Sequence, residues 1–190
     1  VAAGYLDTSY SGTVASHGVA YDADLHLSDY SQKGGETYYA THWANATDDA
    51  ESSATVAQNN SWGFTNTAYS SSTSYTSASV ATLATNAGLT SNASSIDAYI
   101  TALNSFQDNG VIVYALSNTT SLSDADVPAA LPEIYTQLNE AWITVGNVEI
   151  TGASGSETYT RKSAICGSTA AYCVVADGFE MYGAKYYDGT

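Results

Sequence analysis

The sequence predicts an α/β fold, a mostly parallel sheet flanked by helices, in a single domain over residues 1–190. Three observations carry this reading. Segments of helical periodicity alternate along the chain with short apolar runs, the order that builds parallel sheets. The run Val111-Ile112-Val113-Tyr114-Ala115-Leu116 lacks period-two alternation, as a central strand covered on both faces does. A chain of 190 residues with 44% apolar content is long enough for one substantial core and short for two.

Taken in order, the first strand is expected over 24–31 (DLHLSDYS). Residues 34–50 read as a helix, with Tyr39, Trp43 and Ala46 sharing a face and acidic residues crowding its end. Residues 54–63 (ATVAQNNSWG) read as a short strand running into a turn. From 64 to 93 Ser, Thr and Ala dominate, which predicts a weakly structured insertion holding a helix over 77–86. Ser94 and Ser95 are expected to cap a helix over 94–110, where Ile96, Tyr99, Ile100, Leu103 and Phe106 recur at helical spacing before Gly110 ends it. The buried strand 111–116 follows at once. A further helix is expected over 128–141 and a strand over 142–150 (WITVGNVEI). A Gly/Ser loop then leads to a last strand over 172–178 (YCVVADG).

Charge excludes several partner classes. Lys and Arg number 4 against a formal charge of −15, so nucleic acid and anionic membrane are not expected partners. No apolar stretch approaches the roughly 18 residues of a membrane span. A metal site is not identified: DDAE at 48–51 and SDADVP at 123–128 are too sparse to name one, leaving calcium as the one cofactor to consider. Cys166 and Cys173 stand too far apart for a redox CxxC pair and lack partners for a zinc set. They read as a local disulfide, with two free thiols as the alternative. A disulfide closing so short a loop stabilises by about 2–3 kcal/mol and belongs to an oxidising, extracytoplasmic setting.

In a parallel sheet, ligands bind beyond the carboxyl ends of the strands. Three such ends are polar here: NNSWG at 59–63, LSN at 116–118 and ADG at 176–178. In this order, with HGVAYDADL at 17–25 and ITVG at 143–146, they resemble the middle of a subtilisin-like serine protease. The cysteine loop followed by CVVADG is similar to subtilases secreted by Gram-negative bacteria, many of them autotransporter passengers. The resemblance covers nearly the whole chain, and it lies in the order and spacing of short motifs.

The resemblance implies a serine-type endopeptidase acting on a peptide or protein substrate, secreted or at the cell surface. It implies that Asn118 donates to the oxyanion of the reacting carbonyl. Ser61, Trp62 and Gly63 become the edge that pairs with an extended substrate, and Leu116 and Ser117 hold the substrate beside it. The opening VAAG and closing YYDGT resemble the family's sequence just after its catalytic histidine and just before its serine. The aspartate, histidine and serine motifs are therefore expected outside these residues, and the segment alone is expected to be inactive.

Three departures stand out. Ser117 replaces a usual glycine and should narrow the floor of the specificity pocket. Trp62 is large for its position, suited to walling a pocket or to filling core. Asp177 replaces the proline of an Ala-Pro-Gly turn. His17, His26 and His42 lack the sequence context of a general base. The alternative reading is a non-catalytic secreted binding or adhesion domain, or an inactive relative of the proteases.

Overall fold

The computed structural model describes residues 23–28 and 38–178. The chain divides into two compact units, Val1–Leu27 with Glu180–Thr190, and Ser28–Phe179. In the first unit the described residues 23–27 have no regular structure. Of the expected 24–31 strand, residues 24–28 form no strand among the described residues, and 29–31 lie outside them, as do His17 and both chain ends.

The second unit is the predicted α/β arrangement. Its helices are α1 (Tyr39–Ser52), α2 (Ser77–Asn86), α3 (Ala93–Phe106) and a single turn, α4 (Leu131–Ile134). Its strands are β1 (Ala57–Asn60), β2 (Val111–Ala115), β3 (Trp142–Thr151), β4 (Thr158–Arg161) and β5 (Cys173–Asp177). Strand β1 pairs parallel with β2, β2 with β3, and β3 with β5. Only β4 runs antiparallel, returning along β3 from Thr151 to Val148. Thr144 and Val145 pair with both β2 and β5, so those strands hold opposite edges of β3.

Helix α3 is the central support. Ile96, Tyr99, Ile100, Leu103 and Phe106 are all buried, as their spacing predicts. The cap differs from expectation: Asn92 Oδ1 accepts from the Ser95 N–H at 2.9 Å, while the Ser95 Oγ takes the Asn92 N–H at 3.0 Å. Asn92 thus caps the helix and Ser95 closes the capping box. After Phe106 the chain turns through Gly110, where an added Cβ would meet the Phe106 ring at 2.6 Å. Only glycine lets the strand start so close to the helix end.

Three expectations are corrected. The segment 64–93 is not weakly structured: Phe64 and Val80 are fully buried, and α2 packs on α3 with its own Thr76–Ser79 capping box. The helix expected over 128–141 reduces to α4 and a 3₁₀ turn, Thr136–Leu138. Pro132 withholds an N–H at the start, Tyr135 leaves the helical region at φ −122°, ψ 89°, and Val127, Ala129, Ala130 and Leu131 are buried together without a polar face. Strand β2 buries Ile112 and Tyr114, whereas Val111, Val113 and Ala115 are half-buried; β5 leaves Val174 and Val175 exposed.

An aromatic cluster joins sheet to helices. Trp43 of α1 lies 5.6 Å from Tyr99 of α3 and 4.7 Å from Trp62. Tyr114 of β2 stacks on Trp142 of β3 at 5.4 Å. Cys166 and Cys173 form the local disulfide. Because Leu103 sits fully buried where α3 meets this cluster, Leu103→Ala should cost about 2–5 kcal/mol. Urea unfolding checks this as a lowered midpoint with an unchanged slope.

Candidate active site

Parallel strands leave a sheet at the same end. The β1–β2 register pairs Asn60 with Tyr114, so the residues after each strand emerge side by side. Together they line a cavity of about 420 Å³, formed by Ser61–Gly63 with Thr65 and Asn66 on one wall, Ala115–Thr119 on the other, and Asp126. Two of the three polar strand ends therefore meet. The third does not join them: Asp177 ends β5 on the far edge of β3 and is not among the lining residues.

Asn118 is exposed, and among the described residues its side chain makes no hydrogen bond. The backbone beside it is held tightly. Leu116 N–H donates to Val145 O at 2.9 Å, and Ser117 O accepts from Ala164 N at 2.7 Å. The amide thus sits free beside an anchored strand end.

Ser117 lines the cavity and links its walls. Its hydroxyl donates to Asn66 Oδ1 at 2.9 Å and accepts from the Thr119 N–H at 3.1 Å, tying one wall to the other. Trp62 combines both of the roles weighed for it. It lines the cavity, and its ring packs on Trp43, Tyr99 and Tyr114. Gly63 leaves the wall open, an added Cβ there lying 3.7 Å from both Asp126 Oδ2 and the Pro128 ring.

Sequence reasoning missed Asp126. The residue is 2% exposed, and its Oδ1 accepts from the Ser117 N–H at 2.7 Å. Burial raises its pKa above the usual 3.8, while backbone N–H groups of Ser117, of Asp126 itself and of Ala129 offset part of that. The loop carrying it is pinned from the far side of the sequence. Asp124 accepts from the Ser168 N–H at 2.7 Å and from the Ser168 hydroxyl at 2.8 Å, docking the disulfide loop. Arg161 of β4 donates to Thr120 O at 2.9 Å. The only local signal was SDADVP, considered as a metal loop. Among the described residues no group of three or more His, Cys, Asp or Glu side chains is placed to hold a metal ion.

Of the histidines, His26 is exposed outside any element, and His42 on α1 lies 3.4 Å from the Ser28 hydroxyl, away from the cavity. No helix among the described residues is long and apolar enough to cross a membrane.

A model of the subtilase family matches residues 1–189. No curated protein matches the chain. Among solved structures, sphericase matches with 21% identity and a TM-score of 0.46, over 81% of this chain and 40% of that one. The chain thus spans less than half the length of that protein.

The raised Asp126 pKa fixes a sign. In the unfolded chain the carboxyl titrates near 3.8; in the native state it holds its proton to higher pH. Above pH 3.8 the native state binds more protons, so this group lowers stability as pH rises through the native value. Asp126→Asn keeps an oxygen for the Ser117 N–H without the charge. Relative to wild type, the variant should gain stability progressively as pH rises from about 3 to about 7, as read by urea midpoints. A relative loss over that range would show the carboxylate to be favoured by folding.

Proposed function

The chain belongs to the subtilase family, a family of serine peptidases, and on that premise we propose that it is the central part of a subtilisin-like endopeptidase domain. In this reading it supplies the oxyanion donor and the substrate-binding strands, while adjoining sequence supplies the serine, histidine and aspartate. The observation that carries the reading is the free amide of Asn118 at the rim of a cavity whose opposite wall is Ser61–Gly63.

The chemistry follows from that placement. The histidine takes the proton of the serine hydroxyl as its oxygen bonds to the scissile carbonyl carbon. Negative charge collects on the carbonyl oxygen, where the Asn118 amide donates a hydrogen bond. The C–N bond then breaks, the amine leaves with the proton from the histidine, and water releases the acyl group. Ser61–Gly63 continues the chain beyond β1, with Ser61 and Gly63 exposed and Trp62 half-buried, and is suited to main-chain pairing with an extended peptide. Gly63 allows the close approach such pairing requires. Leu116 and Ser117 close the other side.

The disulfide Cys166–Cys173 supports an oxidising location, and we place the protein outside the cytoplasm, at or beyond the cell surface. The cysteine loop and CVVADG support the Gram-negative, autotransporter-like branch.

Expressed alone, the 190-residue chain should not hydrolyse casein; extended on both sides along its natural reading frame, it should, and a serine-directed phosphonate should abolish the activity. A folded extended form without activity would overturn the reading. In the active form, Asn118→Ala should lower kcat on the order of 10²–10³ with KM little changed, the magnitude known for the corresponding loss in subtilisin.

A further inference from the structure

Every residue lining the cavity is neutral except Asp126. One carboxylate oxygen is committed to the Ser117 N–H at 2.7 Å. The other, Oδ2, lies on the Gly63 side, 3.7 Å from where a Cβ would stand. Its stabilising partners are backbone N–H groups. Among the described residues the one salt bridge is Lys162–Glu149, so no cationic side chain there neutralises Asp126. A buried carboxylate without a counter-ion is costly, and the backbone N–H groups of Ser117, Asp126 and Ala129 offset only part of that cost.

We propose that Asp126 is the specificity determinant of this cleft, selecting substrates that place a lysine or arginine side chain in the cavity. The proposal rests on the protease reading given above. A volume of about 420 Å³ accommodates a long basic side chain together with water. The apolar stem of that side chain meets Leu116 and the Trp62 ring, and an indole face also attracts a cation. The head group reaches Asp126, completing a charge-assisted pair in a site shielded from solvent. The bound cation favours the ionised carboxylate that burial disfavours. Gly63 keeps the path between the walls open, since any side chain there would stand beside Oδ2.

Two measurements separate this proposal from the reading it rests on. The first needs no catalysis: n-butylammonium and n-pentanol, similar in length, are titrated into the 190-residue chain and followed by NMR at the Gly63 and Ser117 amides. The ammonium should bind at least about tenfold more tightly than the alcohol, and Asp126→Asn should remove the difference while the spectrum stays folded. The second uses the active extended form with peptide anilides that differ only in the residue before the scissile bond. The ratio of kcat/KM for lysine or arginine over leucine should be about 10² or more, falling toward unity in Asp126→Asn. Equal binding of the two probes, or a basic-to-leucine ratio that is near unity in wild type or survives the substitution, overturns the proposal. Selective ammonium binding in a chain whose extended form cleaves nothing would keep the cation site and reject the protease.

Discussion

The parallel pairing of β1 with β2 is the constraint on which the rest of the structure depends. Its register, Ala57 to Val111 through Asn60 to Tyr114, decides that Ser61–Gly63 and Leu116–Asn118 emerge together. A shift by one residue would turn Ile112 and Tyr114 out of the core and Val111 and Val113 into it. Tyr114 guards against that, since its ring is stacked on Trp142 and sits 5.9 Å from Trp62. The same ring therefore fixes the sheet and the wall of the cleft. Helix α3 enforces the pairing from the other side, delivering the chain through Gly110 directly into β2, where Val111 N–H finds Val56 O at 3.0 Å.

Strand pairing alone leaves the loop after Asn118 undetermined, and that loop is fixed by hydrogen bonds from distant parts of the chain. Ser117 binds Asn66 and Asp126, Thr120 binds Arg161, and Asp124 binds Ser168. The disulfide loop approaches so closely that Gly167, at φ +51°, has Asp124 where a Cβ would stand. A short extra strand, β4, and one disulfide thus act as a brace behind the cleft. Loops held by rigid scaffolding in this way keep polar groups at fixed positions without a binding partner to order them.

How much of this was legible in the sequence depended on how local the deciding interactions were. Helix α3 and strand β2 were readable because five apolar positions at helical spacing and an unbroken apolar run are signals contained within their own segments. The segment 128–141 misled because its apolar residues are buried by an irregular loop, and a helical count cannot tell the two apart when prolines sit inside it. The segment 64–93 looked loose because Ser and Thr dominate it, although its helix, expected over 77–86, forms as Ser77–Asn86 and buries Val80, Ala81 and Ala84. At the cleft, 61–63 and 116–118 were found because they end strands. Asp126 was missed because nothing in its own segment marks it: its partner Ser117 lies across a loop, and the residues that brace that loop, Arg161 and Ser168, lie far along the chain.

The protein's overall charge and the charge of Asp126 act over different ranges. A formal charge of −15 draws cations toward the whole surface, raising encounter rates without favouring one groove. At physiological ionic strength such attraction fades within about 8 Å, so it cannot choose which residue of a peptide enters the cleft. A carboxylate that is 2% exposed is screened far less and is met only by the group that fills the cavity. Its cost in the empty site is the reason it can discriminate: a neutral side chain leaves the charge buried and unpaired, whereas a basic one replaces lost hydration with a fixed partner. Selectivity of this kind should persist in salt that abolishes the long-range attraction, because the two arise from different charges.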